Sequence, residues 1–128
     1  MAQLSRIILY VQDVERLSVF YREAFGFSLG QHIEGEWAVL QAGPCEIGLL
    51  KAGAGYVAPP GGWRGDNNNA KLVFSISEPI DVMRAQLVAL GVDMGAVKSY
   101  PGLTGPLCDG RDPEGNVFQL MEIVPAEN

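Results

Sequence analysis

Apolar residues at the start of the chain first follow strand spacing and then helix spacing. Residues 4–11, LSRIILYV, are rich in β-branched and aromatic residues and predict a strand. Asp13 can cap a helix that runs to about Phe25, and Gly26 ends it. Apolar residues recur at three-to-four spacing along this helix and predict its buried face, which comprises Val14, Leu17, Phe20, Tyr21, Ala24 and Phe25.

Short apolar runs separated by turn signals follow the first helix. They predict strands near 27–34, 36–42 and 45–51, because Glu34-Gly35 and Gly43-Pro44 are typical turn sequences. Residues 52–69, AGAGYVAPPGGWRGDNNN, then predict a long loop that carries two aromatic residues, Tyr56 and Trp63. A loop of this length inside a compact protein is usually a lid, a binding loop or a linker.

The same order of elements begins again after the loop. Residues 71–77, KLVFSIS, predict a strand, and Pro79 marks the start of a helix that continues to Leu90 and stops at Gly91. Three short strands are predicted near 92–99, 104–111 and 116–123. With an offset of 65, IILYV (7–11) lies on LVFSI (72–76) and AFGF (24–27) lies on ALGV (89–92). The chain therefore predicts a strand–helix–three-strand unit used twice.

Strand alternation divides the predicted strands into two faces. One set is uniformly apolar and is expected to pack on the helices: Ile7, Leu9 and Val11, with Leu72, Phe74 and Ile76. The other set is more mixed and is expected on the opposite face: Arg6, Ile8 and Tyr10; Lys71, Val73 and Ser75; Val117, Gln119 and Met121. Gln119 is a polar amide in an otherwise apolar run, so this second face is where a site is sought.

Composition excludes some classes of binding partner and says little about the chemistry of the protein. The 128 residues carry a net charge of −6, which argues against nucleic acid because such binding needs a basic surface. No apolar run reaches the ~18 residues of a membrane span, and the N-terminus lacks the layout of a signal peptide. We therefore expect a cytoplasmic protein with no membrane partner, in which Cys45 and Cys108 remain reduced.

Three motifs in order identify a resemblance to a known family. LYVQD (9–13) is followed by FYREAFGF (20–27), and the second half ends with DPEGNVFQL (112–120). In order and spacing they resemble the vicinal oxygen chelate superfamily, which comprises the glyoxalase I, bleomycin-resistance and extradiol-dioxygenase proteins. The resemblance implies an α+β fold of two βαβββ modules, about 4–51 and 70–124, whose sheets form an open cup-shaped half-barrel with the helices outside. It also implies a homodimer.

The resemblance further identifies four positions at which metal-dependent members hold a divalent ion with His, Glu or Gln. In this sequence those positions are Arg6, Gly48, Lys71 and Gln119. Two are cations, one has no side chain, and a neutral amide is a poor sole ligand. We therefore expect the fold without a metal or other cofactor. The predicted ligand-binding set retains all four and adds aromatic walls: Arg6, Tyr10, Trp37, Gly48, Tyr56, Trp63, Lys71 and Gln119.

Each of these residues also has a structural interpretation. Arg6 can pair with an acidic residue such as Glu46 or Glu122, and a neighbouring carboxylate can neutralise Lys71 in the same way. Gln119 can be a hydrogen-bonded structural amide, and the loop aromatics can pack on the modules. Cys108 is expected to be a buried, inert thiol rather than a nucleophile, and Asp112, Gly115 and Asn116 are expected to shape a turn.

Two functions remain open at this point, beside a module that only mediates protein interaction. The first is a metal-independent small-molecule-binding protein that sequesters an antibiotic or a metabolite. The second is a metal-dependent glyoxalase-type lyase, isomerase or dioxygenase that uses displaced ligands, for which His32, Glu46 and Glu122 are the candidates. Catalysis is uncertain on sequence grounds, and the binding protein is the preferred interpretation.

Overall fold

The computed structural model describes residues 3–53, 70–102 and 105–123. The chain divides into two compact units, Met1–Gly61 and Gly62–Asn128. Within the described residues, each unit contains a strand, a helix and then three strands, and each forms one four-stranded mixed sheet. The predicted α+β fold of two βαβββ modules is confirmed.

Unit 1 has the strand order β1-β4-β3-β2. β1 is parallel to β4, and the other neighbours are antiparallel. In the β1–β4 register, Arg6 lies opposite Glu46 and Ile8 lies opposite Gly48. The elements are β1 (Arg6–Val11), α1 (Val14–Phe25), β2 (Ser28–Ile33), β3 (Trp37–Ala42) and β4 (Cys45–Lys51).

Helix α1 begins and ends at the predicted residues. The Asp13 side chain accepts a hydrogen bond from the Arg16 backbone N–H, and Gly26 adopts a left-handed conformation with φ 72°. Of the predicted buried face, Phe20, Ala24 and Phe25 are only half-buried, while Ser18 is buried although it was not predicted. The fully buried residues of the predicted face are Val14, Leu17 and Tyr21.

Unit 2 repeats this topology with the order β5-β8-β7-β6, and β5 is parallel to β8. Asp112 shapes the turn before β8: its Oδ1 accepts from the backbone N–H groups of Glu114 and Asn116, and Gly115 has φ 84°. The turn chemistry predicted for this segment is confirmed. The elements are β5 (Leu72–Ile76), α2 (Ile80–Ala89), β6 (Asp93–Met94), β7 (Leu107–Arg111) and β8 (Val117–Glu122).

The predicted strand near 92–99 is wrong in extent. β6 covers only two residues, and pairing with β7 resumes at one bridge between Lys98 and Leu107. Four positions separate Met94 from Lys98, but three separate their partners Gly110 and Leu107. One residue is therefore extra on this strand, as in a β-bulge, and the bulge interrupts regular pairing over 95–97.

Side chains alternate between the two faces of each sheet as predicted. In unit 1, Val11, Leu40 and Leu49 are fully buried, whereas Ile8 and Tyr10 are 44% and 55% exposed. In unit 2, Leu72 and Ile76 are buried, whereas Val73 is 51% exposed. We call the sheet face opposite the unit's own helix its open face. Neither helix within the described ranges is long and apolar enough to cross a membrane.

The N-terminus of α2 is capped from β8. Pro79 at the N-cap provides no side-chain hydrogen bond, and Glu122 Oε1 instead accepts from the Ile80 backbone N–H at 2.6 Å. This carboxylate lies on the helix side of the sheet, opposite in alternation to Gln119. It satisfies one of the backbone donors that a helix N-terminus leaves unpaired, and its charge is favourable at the positive end of the helix dipole.

We therefore expect Glu122→Ala to lower the free energy of unfolding by about 1 kcal/mol, the usual loss for a removed helix cap. Urea denaturation followed by circular dichroism measures this change. Glu78→Gln is the matched control, because Glu78 is an exposed acidic residue in the loop before the same helix. An equal effect of the two substitutions would show that charge near the helix matters and that the cap does not.

Candidate functional site

The open face of unit 1 carries an ion pair stacked on an aromatic ring. Arg6 Nη2 lies 2.9 Å from Glu46 Oε1, and Arg6 Nε donates to the same oxygen at 3.1 Å. The Arg6 guanidinium carbon lies 5.5 Å from the Trp37 ring centroid, within the range of a cation–π contact. Of the two acidic partners considered for Arg6, the structure shows Glu46. We call Arg6, Trp37 and Glu46 the Arg6 cluster.

Gly48 lies beneath the Trp37 ring. A Cβ atom at Gly48 would approach Trp37 Cη2 to 2.7 Å and Ile8 Cγ1 to 3.2 Å. Gly48 is buried, so a molecule on this open face would meet the indole ring rather than the glycine backbone. Even a small ligating side chain at Gly48 would displace the ring.

His32 lies on the helix side of the unit 1 sheet. It pairs in register with Ala38, which is fully buried, and its Nε2 lies 2.8 Å from Glu15 Oε1 on α1. Glu15 also accepts from the Gly35 backbone N–H at 2.9 Å. That backbone hydrogen bond and the contact with His32 lower the pKa of Glu15. Glu15 therefore joins α1 to the β2–β3 turn and to His32 on β2, and His32 lies on the face away from Gly48.

The open face of unit 2 carries a carboxylate shared by two predicted site residues. Lys71 Nζ donates to Asp109 Oδ2 at 2.9 Å, and Gln119 Nε2 donates to Asp109 Oδ1 at 3.0 Å. Asp109 lies directly opposite Gln119 in the β7–β8 register, which explains the short contact. We call these three residues the Asp109 cluster. Two of the predicted site residues, Lys71 and Gln119, are thus brought together by a residue that was not predicted.

Asp109 is ionised under ordinary conditions. Burial raises the pKa of Asp109, but hydrogen bonds from Lys71 and Gln119 and the charges of Lys71 and Lys98 hold it, on balance, below its ordinary value of 3.8. The sequence could have indicated Asp109 as a site residue, because it is a charged residue in the middle of a largely buried strand, LCDGR. It was missed because β7 is not one of the four strands that hold metal ligands in the related family.

A cavity of about 460 Å³ opens beside the Asp109 cluster, within unit 2. It lies beside the bulge at 95–97, and Arg84 Nε donates to the Gly95 carbonyl of that bulge at 2.7 Å. Its volume is within the range of small-molecule sites, roughly 300–1,000 Å³. The lining residues belong to unit 2: Lys71, Gly95, Ala96, Lys98, Tyr100, Leu107, Cys108, Asp109 and Gln119.

The thiol in this lining does not favour nucleophilic chemistry. Cys108 is 1% exposed, and burial raises the pKa of its thiol, with the nearby Arg84 charge acting in the opposite direction. A protonated thiol is a weak nucleophile. The expected buried cysteine is confirmed at this position.

The four family metal positions do not fit a metal ion. Arg6 and Lys71 each form an ion pair with a carboxylate, Gly48 lies under Trp37, and the Gln119 amide nitrogen donates to Asp109. Across residues 3–53, 70–102 and 105–123, His, Cys, Asp and Glu form no group of three suited to a metal. Each displaced ligand proposed from sequence has another partner within its own unit: His32 contacts α1, Glu46 pairs with Arg6, and Glu122 caps α2.

The eight predicted ligand-binding residues are distributed over both units. Unit 1 holds Arg6, Tyr10, Trp37 and Gly48, and unit 2 holds Lys71 and Gln119. Tyr56 and Trp63 lie outside the described residues. Residues that the sequence did not single out, yet the structure places in the cavity lining, include Lys98, Tyr100 and Asp109.

Comparison with known proteins identifies the fold. No family model matches the chain, and no curated protein matches its sequence. Among solved structures, it is similar to a lactoylglutathione lyase from Agrobacterium tumefaciens, with a TM-score of 0.73 and 20% identity over 95% of this chain and 94% of that chain. It is also similar to FosX, a fosfomycin resistance protein from Listeria monocytogenes, with a TM-score of 0.75 and 17% identity over 97% and 95%.

A third similar structure is TnmS3, an antibiotic binding protein from Streptomyces sp. CB03234, with a TM-score of 0.72 and 25% identity over 97% of this chain and 98% of that chain. These neighbours are members of the vicinal oxygen chelate superfamily, and this chain has the fold of that superfamily. The resemblance predicted from the sequence motifs is confirmed at the level of the fold. Proteins of this fold differ in function, so the site itself must decide the chemistry.

We expect Gly48→Ala to destabilise the protein by about 1–3 kcal/mol, because the new methyl group would overlap the Trp37 ring. Chemical denaturation measures the loss. Gly30→Ala in β2 is the control, since a Cβ there would meet only the Val39 carbonyl oxygen at 3.5 Å. In a Trp37→Leu background the cost of Gly48→Ala should shrink, and an unchanged cost would contradict the contact with the ring.

Asp109→Asn should lower stability at pH 7 by less than about 1 kcal/mol, because the Lys71–Asp109 ion pair is half exposed. The folded-state pKa of Asp109 is depressed, so its contribution is present above the unfolded value and is lost as the pH falls through the folded value. The difference from wild type should therefore narrow below about pH 4. Thermal unfolding across pH measures it, with Asp93→Asn on exposed β6 as the control. A stability difference between variant and wild type that does not change with pH would contradict the charge effect.

Proposed function

We propose that this protein binds a small molecule without the help of a metal ion and sequesters it. The observation that carries the proposal is that the side chains at the positions of the family's metal ligands are paired with carboxylates. Each cation there is matched by a carboxylate at 2.9 Å, and Gln119 donates to one of the same carboxylates. Side chains tied in this way present hydrogen-bonding groups and a charged, aromatic surface rather than a set of metal ligands.

The open faces provide the contacts that a bound organic molecule needs. In unit 1, the exposed Tyr10 and the Trp37 ring of the Arg6 cluster offer aromatic surface, and Arg6 offers a cation. In unit 2, Lys71 and Gln119 border a cavity large enough for a small ligand. The predicted roles of Tyr56 and Trp63 stay part of this proposal, whereas Gly48 leaves the space that the Trp37 ring occupies.

The function of one structural neighbour gives further support. TnmS3 is an antibiotic binding protein, and its chain and this one cover each other almost completely. A ligand of the same general kind, an antibiotic or a metabolite, is what we propose for this chain. A homodimer and a cytoplasmic location belong to the same proposal and rest on the superfamily resemblance and the sequence.

The metal-dependent alternative lacks a supporting arrangement in the described residues. It requires His32, Glu46 and Glu122 to act together, yet His32 contacts α1 on the helix side of its sheet and Glu122 caps α2. Freeing Glu122 for a metal would leave the Ile80 N–H without this acceptor. Freeing Glu46 would leave the Arg6 guanidinium without its ion pair.

Metal analysis of protein purified without a chelator tests the proposal directly. We expect substoichiometric Ni, Zn, Mn and Fe, and no rise in melting temperature when each ion is added. A mutant of FosX from Listeria monocytogenes has been solved in complex with Mn(II), so FosX purified in parallel provides a positive control. Roughly one equivalent of a divalent ion, lost together with thermal stability on chelation, would refute metal independence.

A thermal-shift screen of antibiotics and metabolites tests the binding function separately. A ligand present at 100 times its Kd stabilises the native state by about 2.7 kcal/mol, which is easily measured as a rise in melting temperature. We expect at least one class of small organic molecule to produce such a shift. No shift with any class would favour a module that acts only through protein interaction.

A further inference from the structure

The cavity in unit 2 concentrates positive charge in an acidic protein. The sequence contains only three lysines, Lys51, Lys71 and Lys98, and its net charge is −6. Among the residues that the structure describes, two of the three line the cavity, together with one carboxylate, that of Asp109. The ionised lining groups therefore sum to one net positive charge, two ammonium groups against one carboxylate.

The Asp109 carboxylate is already committed to other partners. Its Oδ2 accepts from Lys71 Nζ and its Oδ1 accepts from Gln119 Nε2. Each oxygen thus has a hydrogen-bond donor in the Asp109 cluster. The charge of Lys71 is compensated by this contact, which leaves Lys98 as the cavity's excess charge.

The backbone fixes Lys98 on the cavity side of the sheet. Lys98 and Leu107 exchange two backbone hydrogen bonds, of 2.8 and 2.9 Å, so they form a directly opposed antiparallel pair. Side chains of such a pair lie on the same face, and Leu107 shares its face with Asp109 two residues later. The extra residue of the bulge at 95–97 is what brings Lys98 opposite Leu107.

Lys98 has no ion pair or side-chain hydrogen bond with residues in the described parts of the chain, although its charge helps to lower the pKa of Asp109. Its ammonium group is therefore within electrostatic range of the cluster yet keeps its hydrogen-bond donors for another acceptor. Tyr100, also in the lining and 47% exposed, offers a phenolic hydroxyl to the same cavity.

We propose that this cavity selects small organic anions, and that Lys98 is the residue that recognises their carboxylate, phosphonate or phosphate group. The inference rests on the proposed function and assigns it a ligand class. An anionic head contacts Lys98, while the apolar part of the ligand lies against Leu107 and the ring of Tyr100. A cationic ligand is disfavoured because the lining already carries an excess positive charge.

Probes that share one ring system and differ in charge test the selection. We suggest calorimetric titration with 2-naphthoate, 2-naphthyl phosphate, the neutral 2-naphthamide and the cationic 2-naphthylmethylamine. At low salt, wild-type protein should bind an anion about tenfold more tightly than the amide, as expected for a charged hydrogen bond. This preference should diminish as salt is raised from about 0.02 to 0.5 M. Comparison of the two anions shows which head group is preferred.

Matched lysine substitutions locate the effect. Lys98→Gln should weaken anion binding about tenfold and leave amide binding unchanged, whereas Lys98→Arg should retain most of the anion preference. Lys51→Gln removes the same charge from an exposed position in unit 1 and should change neither. Because Lys98 is exposed, its substitution should leave the melting temperature within about one degree of wild type.

Three results would overturn the inference: equal binding of anion and amide, equal effects of Lys98→Gln and Lys51→Gln, or no binding of either anion up to about 1 mM. Failure of the proposed function is recognised differently. It would appear as a stoichiometric metal ion, or as the absence of a thermal shift with any uncharged or charged compound. Neutral ligands that bind without regard to Lys98 would thus refute the anion selection and leave the binding function standing.

Discussion

Each sheet in this protein buries one face against its own helix, and the two-residue period of a strand then places every second side chain on the opposite face. This constraint positions the polar residues of both open faces. Because Val11 is buried on the helix side, alternation places Arg6 on the open face of unit 1. Because Phe118 and Leu120 are buried, it likewise places Gln119 on the open face of unit 2. A shift of one residue would bury the charges and expose the core, so the register is strongly specified.

The two units neutralise equivalent cations in different ways. Arg6 is matched across the parallel β1–β4 pair by Glu46, its direct neighbour in the register. Lys71 is matched instead by Asp109 on β7, beyond the adjacent strand β8. The two units therefore share the same strand topology, but the carboxylates that neutralise their cations lie on strands that do not correspond. A partly buried charge is stabilised by such compensation, and more than one neighbouring strand can supply it.

This difference also separates the two open faces in character. In the Arg6 cluster, the Trp37 ring occupies the space above Gly48. The Asp109 cluster instead borders a cavity, whose lining includes Gly95 and Ala96 of the bulge at 95–97. A fold that is similar to that of the Mn(II)-bound FosX structure carries here an aromatic surface in one unit and a charged cavity in the other. Fold and chemistry are independent properties of this chain.

The sequence by itself determined the element order, the boundaries of α1 and the alternation of faces. These depend on local spacing and on motifs within a few residues. Only the tertiary structure decided that Asp109 joins Lys71 to Gln119, that Trp37 covers Gly48, and that the predicted strand near 92–99 is broken. Lys71 and Asp109 are 38 positions apart, and Arg6 and Glu46 are 40. Such contacts depend on which strands are neighbours and in what register, and spacing along the chain does not encode that.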